Sequence, residues 1–193
     1  MGVVDGFKGA GLFAKIAIIL LAIATLFVWI AYTCTGWGEA TSGGSKGRHL
    51  GLWRSCSDDT YTPGCVQLDG WAKDWFATVQ AFVTFGFFGI NVAFFLTILY
   101  IFVPSCQKNG EIGMATAIVC IATGVIYLIG VIIFGAKFKE DYQDPYDETT
   151  NPAWGKYRLS YCFGLSIVAL LIEIVAGVLM LLDSKKGGTS PSG

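Results

Sequence analysis

Six cysteines, a single histidine and fourteen carboxylates carry whatever reactivity this sequence has. Cys56 and Cys65 lie close together among turn formers, Asp58, Asp59, Pro63 and Gly64, which is the setting of a hairpin disulfide. Closing about ten residues in this way restricts the unfolded segment by roughly 2 to 3 kcal/mol. Two reduced thiols are the alternative; zinc is weaker still, because His49 is the only histidine and structural zinc wants four nitrogen or sulfur ligands. No nucleophile stands near a base, no metal-ligand cluster occurs and no phosphate-binding glycine loop is present, so neither an enzyme nor a bound cofactor or metal is expected. The remaining group of interest is Glu173, a carboxyl set inside an otherwise apolar stretch.

The segments that must position these groups are apolar. Hydrophobic residues make up 54% of the chain and charged ones 14%, with a mean hydropathy of +0.60. Soluble domains carry charge near a quarter of their residues, so this composition belongs in a bilayer. A net charge of −1 and a pI near 5.7 provide no basic footprint for nucleic acid. Four stretches approach or exceed the roughly 20 apolar residues that a helix needs to cross the hydrocarbon: 16–33, 76–103, 112–136 and 159–182. The first could instead be the core of a cleaved signal peptide, but its length, Trp29 and Tyr32 near its end, and the lack of a clear cleavage site favour an anchoring span. Between the spans lie a long loop (34–75), a short one (104–111) and a medium one (137–158), with tails at 1–15 and 183–193. A separate catalytic domain has no room.

Sidedness does not follow from basic residues. The tails and short loop hold five Lys or Arg, and the two larger loops hold eight over nearly twice the length. The paired cysteines decide better, since disulfides persist in oxidising compartments; the long loop is read as extracellular and both tails as cytosolic. That loop is aromatic and turn-rich, with Trp37, Trp53, Tyr61, Trp71 and Trp75 among glycines, serines and charges. Residues 43–47 read as a turn, 49–56 as a short strand and 66–68 as its partner.

Within this loop Trp37, then Gly51, Leu52 and Trp53, then Cys56 and Cys65 resemble the W...GLW...C...C signature of the claudin, peripheral myelin protein and epithelial membrane protein superfamily. The resemblance extends over the whole chain through the order of spans and loops. Val79, Gln80, Ala81 and Phe82 look like the epithelial membrane protein branch, where claudins usually carry an arginine. The final residues, 190–193, lack the hydrophobic C-terminus that claudins offer to PDZ grooves, and no Asn-x-Ser/Thr sequon occurs. The resemblance implies an all-α membrane protein, a left-handed four-helix transmembrane bundle bearing a small extracellular antiparallel β-sheet. That sheet is built from the first extracellular loop and one strand of the second. It further implies self-association side by side in one membrane (cis) and head to head between cells (trans).

Several residues gain expectations from the same resemblance. Asp59 matches the acidic position of cation-selective claudins, and Asp58 and Glu39 could add to its field; the plainer alternative is a solvated turn before Pro63. Lys46, Arg48 and Arg54 lie near enough in sequence to offset that field. Tyr142, Tyr146 and Trp154 in the acidic medium loop are candidate contacts in trans, or Trp154 merely sits at the lipid interface. Cys106 is placed where claudin cysteines are palmitoylated, and an unmodified thiol is the alternative. Lys185 and Lys186 form a flank that anionic lipid attracts.

Glu173 must be neutralised or paired, because a mid-span carboxylate costs several kcal/mol, about 2.5 to 3.5 on insertion scales. Ala169, Glu173 and Gly177 share a helix face that admits a close neighbour. Thr116, Cys120, Thr123 and Tyr127 form a polar stripe on the third span and are the expected partners, with Asn91 on the second as another. Structural pairing is favoured over a proton relay, since no second intramembrane charge is available to receive a proton. Cys34, Cys120 and Cys162 read as packing residues. The function expected is a structural cell-junction protein that limits paracellular passage. The alternatives are an auxiliary, gamma-type channel or receptor subunit, and a membrane organiser of the epithelial membrane protein kind. Expected partners are membrane lipid, further copies of the chain, other claudin-like proteins or a channel subunit.

Overall fold

The computed structural model describes residues 3–42, 45–58, 63–68, 74–107, 109–143 and 156–187. Four helices dominate: α2 (Leu12–Thr33), α3 (Asp74–Phe102), α4 (Gly110–Phe138) and α5 (Tyr161–Gly187). A short helix, α1 (Val3–Gly9), precedes them. The shortest of the four, with 22 residues, is about 33 Å long at 1.5 Å per residue, enough to cross a hydrocarbon core of roughly 30 Å. All four are long and apolar enough to span a membrane.

The helices run past most ends of the apolar stretches that the sequence delimits, but Leu159, expected to open the fourth span, belongs instead to the last strand of the sheet, and that helix starts at Tyr161. Asp74 and Trp75 already belong to α3, Gly110 and Glu111 to α4, and Asp183 to Lys186 to α5. Backbone hydrogen bonding does not stop where the side chains become polar; it stops at specific signals. The backbone preceding Pro104 disfavours helix, and α3 ends at Phe102. At the start of α4, Asn109 Oδ1 accepts the Glu111 N–H at 2.9 Å and caps an otherwise orphaned donor. α4 continues into a π-helical turn, Lys139–Gln143.

A five-stranded antiparallel sheet has the order β4-β3-β2-β1-β5, where β1 is Gly38–Ser42, β2 Ser45–Leu50, β3 Arg54–Ser57, β4 Gly64–Gln67 and β5 Lys156–Leu159. Four strands come from the long loop and one from the medium loop, as the resemblance implies. The stretch 49–56 is not one strand. It breaks at Gly51–Trp53, where the Gly51 N–H turns to the Arg54 carbonyl at 2.8 Å and the Trp37 N–H reaches the Leu50 carbonyl at 2.9 Å. The turn expected over 43–47 is narrower, because β2 begins at Ser45 and the Gly47 carbonyl accepts the Asp58 N–H at 3.3 Å.

The chain forms two compact units. One comprises the described residues of Met1–Leu26, Phe85–Ile126 and Val168–Gly193; the other those of Phe27–Thr84 and Tyr127–Ile167. The first unit is packed helix on helix through small residues. A Cβ on Gly89 would run into the Thr123 side chain, and one on Gly177 would lie 2.7 Å from Cys120 Cβ. The second unit contains the sheet and an aromatic core of Trp37, Phe76, Phe134 and Phe138, all buried.

Candidate functional site

The strand module is anchored by one side chain. Trp37, the residue before β1, is wholly buried at 0% exposure. Its indole meets Phe134 edge-on at 4.9 Å and Phe163 at 6.0 Å, and its Nε1–H donates to the Ala31 carbonyl at 2.6 Å. Burying so large a ring stabilises, and giving its polar atom a partner removes the cost of enclosing it. The backbone beside it is strapped to α5: the Ser160 N–H donates to the Trp37 carbonyl at 3.0 Å and the Cys162 N–H to the Gly36 carbonyl at 2.8 Å.

This strap corrects the reading of two cysteines. Cys34 and Cys162 are disulfide-bonded, with Cα atoms 6.7 Å apart across 128 residues of sequence. Each reads as a packing residue because it sits at the end of an apolar stretch. The end of α2 and the start of α5 meet beneath Trp37, a juxtaposition invisible in the linear order. Cys120 stays a buried thiol.

Gly51, Leu52 and Trp53 form the hinge between β2 and β3. A Cβ on Gly51 would lie 2.5 Å from the Cys34 carbonyl oxygen and 2.9 Å from Thr35 Cα, so only glycine permits this approach. Leu52 is fully buried, and Trp53 packs edge-on against Tyr32 at 5.3 Å. The Gln80 amide on α3 donates to two carbonyls of the loop, Leu52 at 2.7 Å and Leu68 at 3.2 Å. In the sequence Gln80 registers only as a branch marker; its role as the polar tie between helix and loop depends on two carbonyls that no side-chain pattern reports. Cys56 and Cys65 are cross-strand neighbours on β3 and β4 and are disulfide-bonded, with Cα atoms 4.0 Å apart.

The register lines up a charged row. Arg158, Glu39, His49, Cys56 and Cys65 are successive cross-strand partners over β5, β1, β2, β3 and β4. Directly opposed residues share a face of the sheet, so this row carries the polar chemistry of one face. Arg158 ion-pairs with Glu39, and the Ser160 hydroxyl donates to Glu39 Oε2 at 2.9 Å. The Ser160 hydrogen bond foremost, and the Arg158 guanidinium after it, hold the Glu39 carboxyl below the usual carboxylate range, although its partial burial pulls the other way. His49 Nε2 lies 3.5 Å from Asp58 Oδ2. The sequence places Lys46, Arg48 and Arg54 near the acids, whereas the cation paired with Glu39 is Arg158, distant in the chain.

Asp59, Tyr146 and Trp154 lie outside the described residues. Tyr142 belongs to the π turn, and its side chain is likewise outside them. Asp141 in that turn accepts from Trp75 Nε1 at 2.7 Å. Cys106 is half-buried in the turn after α3, its N–H bonded to the Val103 carbonyl at 2.9 Å.

In the helical unit Glu173 is 2% exposed, and its carboxyl shares a 2.8 Å hydrogen bond with the Thr123 hydroxyl. Thr123 Oγ1 also lies 2.6 Å from the Val119 carbonyl. Asn91 donates to Phe87 of its own helix at 2.6 Å, and in the sheet-bearing unit Tyr127 donates to Ser166 at 3.2 Å. A second buried acid, Asp183, accepts from the Tyr100 hydroxyl at 2.9 Å; it falls just beyond the apolar stretch, so hydropathy alone does not draw attention to it. Among the described residues no group of three His, Cys, Asp or Glu side chains converges as a metal site. The arrangement fastens the strand module to the helix ends through Trp37, Gln80 and the Cys34–Cys162 bridge.

Human epithelial membrane protein 3 is 26% identical to this chain over 136 residues, covering 68% of this chain and 74% of the relative. A family model described as the PMP-22/EMP/MP20/Claudin family matches residues 8–180. With its four apolar helices and small antiparallel sheet, the chain is a multi-pass membrane protein that belongs to the PMP-22/EMP/MP20/Claudin family.

Proposed function

We propose that this chain is a structural protein of cell–cell contacts, placed in the plasma membrane with the strand module outside. There it self-associates in cis and in trans to form or regulate a paracellular barrier or charge-selective pore. The observation that carries this reading is the edge strand β4. It pairs on one side with β3, all four of its residues are exposed, and Val66 is 66% exposed. A short rigid edge with one row of backbone groups unmatched within the described sheet is a template for another chain. Family membership supports association with like proteins in the membrane. In this reading Tyr142, Tyr146 and Trp154 serve contacts in trans. Asp58 and Asp59 supply whatever cation preference a pore has, since Glu39 is spoken for by Arg158. Cys106 is then an acylation site on the cytosolic face.

Val66→Lys tests the reading, because it places an ammonium on an already exposed position. Expressed in cells without junctions, the parent chain concentrates at contacts and raises paracellular resistance, while the variant reaches the surface but loses the enrichment. Equal enrichment of both would overturn the edge-strand reading. A membrane-organising role is the second reading, favoured by the similarity to epithelial membrane protein 3 and by Val79, Gln80, Ala81 and Phe82, which look like that branch where claudins usually carry an arginine. Uniform surface distribution of the parent chain with unchanged resistance would select it.

A further inference from the structure

A cavity of about 330 Å³ lies at the hinge end of β3 and β4, lined by Trp53, Arg54, Gln67 and Leu68. Arg54 and Gln67 are direct cross-strand partners, so their side chains stand together on one face of the sheet. Both are exposed, and neither side chain has a hydrogen bond or ion pair among the described residues. Trp53 supplies another wall. Its ring packs on Tyr32, but its Nε1–H is shut off from solvent and has no acceptor among the described residues. An enclosed donor without a partner is costly, and native proteins keep few of them. A guanidinium, a carboxamide and an indole N–H thus border one cavity, and no carboxylate lines it to answer them.

The place of the cavity in the fold decides what answers them. Tyr32 is in the last turn of α2, and the Leu68 carbonyl accepts from Gln80 in the second turn of α3. Spans end at the headgroup layer, where tryptophan is favoured, so the donors border the level of lipid phosphates. We propose that the cavity seats the phosphate of an anionic phospholipid from the leaflet that borders the sheet. The planar fork of Arg54 matches phosphate geometry, and the Gln67 amide adds a donor beside it. These two unpaired side chains turn as the anion enters and open the Trp53 N–H to one of its oxygens. The volume is at the small end of ligand sites and suits a headgroup, leaving the acyl chains in the bilayer. A zwitterionic headgroup brings a cation that meets the Arg54 guanidinium and no carboxylate in the lining, which selects against it. The site is independent of any role at cell contacts.

The test uses the full-length protein in phosphatidylcholine nanodiscs and follows the indole N–H resonance of Trp53, assigned by its loss in Trp53→Phe. Adding a minor fraction of phosphatidylglycerol should move that resonance, whereas phosphatidylethanolamine, or inorganic phosphate added to nanodiscs of phosphatidylcholine alone, should not. Arg54→Gln changes an exposed side chain and should raise the phosphatidylglycerol needed for the same shift about fivefold, the equivalent of one charge contact at a membrane surface. In detergent without phosphatidylglycerol, Trp53→Phe keeps the ring on Tyr32 and should melt no lower than the parent, because the deleted N–H has no partner to lose. With phosphatidylglycerol the parent should gain thermal stability and Trp53→Phe should gain less. A resonance that ignores phosphatidylglycerol, or that responds equally in Arg54→Gln, would overturn the proposal. So would a response to inorganic phosphate matching that to the lipid, which would assign the cavity to a soluble anion, or a lower melting temperature of Trp53→Phe in lipid-free detergent, which would give the N–H a partner within the chain.

Discussion

The two compact units hold themselves together by different means. In the sheet-bearing unit, interactions of unlike kinds converge on a few residues. Trp37 is buried against Phe134 and Phe163, the end of α2 is bonded to the start of α5 through Cys34 and Cys162, Cys56 and Cys65 close β3 on β4, and Gln80 ties the loop to α3. In the helical unit the contacts are mostly one kind, close approach over small residues, relieved by isolated polar pairs such as Glu173 with Thr123 and Tyr100 with Asp183. The difference follows from solvent. Lipid tails are as apolar as leucine, so helices gain little by hiding apolar surface and depend on fit and on hydrogen bonds. A small sheet cannot bury a large core of its own and relies on cross-links and a deep anchor.

The largest effect is expected where the sheet-bearing unit concentrates its support. Trp37→Ala removes a fully buried ring and orphans the Ala31 carbonyl, a loss of about 3 to 5 kcal/mol by the cost of large-to-small core changes. Thermal unfolding of the detergent-solubilised protein, with surface delivery in cells, measures it. A loss near zero would mean that the disulfides and Gln80 suffice without the anchor, and the comparison would have to be redrawn around them.

A smaller effect distinguishes fit from hydrogen bonding in the helical unit. Gly89→Ala forces a methyl into the Thr123 side chain and should cost about 1 to 3 kcal/mol, the usual range for overpacking. Thr123→Val keeps the shape and deletes only the hydroxyl shared with Glu173, worth about 0.6 kcal/mol and at most about 1.7 in membrane helices. The same unfolding measurement ranks them. If Thr123→Val proved the costlier, the polar pair rather than the close approach would be what holds this unit.

Much of this architecture is legible in the sequence, and the division between what is and what is not has a physical cause. Spans follow from local hydropathy, and the Cys56–Cys65 bridge from short spacing among turn formers. The face bearing Glu173 and Gly177 follows from helical period, and Thr123 is one of several polar residues at suitable spacing. What escapes is whatever joins residues far apart in the chain by backbone geometry. Cys34 meets Cys162, Arg158 meets Glu39, and Gln80 meets carbonyls that carry no side-chain signal. The helix ends escape for a related reason, since Asp183 lies past the apolar run yet inside a continuing hydrogen-bonded turn.

The smallest effect concerns the one place where β5, from a distant loop, depends on charge to stay paired with β1. Glu39 is held below the usual carboxylate range by Ser160 and Arg158, so its ionised form is favoured by folding. A depressed folded value means that this stabilisation is present in full above the ordinary carboxylate value, about 4.3 for glutamate, and is lost as the pH falls through the lower folded value. Amide exchange along the β1–β5 ladder should therefore quicken as the pH is lowered below that range, relative to amides of the β2–β3 ladder. Glu39→Gln should flatten the difference while leaving the register of Gly38 with Leu159 intact. The pair is partly exposed, where ion pairs contribute little, so the change should be local and global unfolding should hardly move. If acid instead left the β1–β5 ladder no faster relative to the β2–β3 ladder, β5 would be held by its backbone pairing with β1 and the strap at Trp37 and Gly36 without help from the charge, and the charged row would serve only what approaches the sheet from outside.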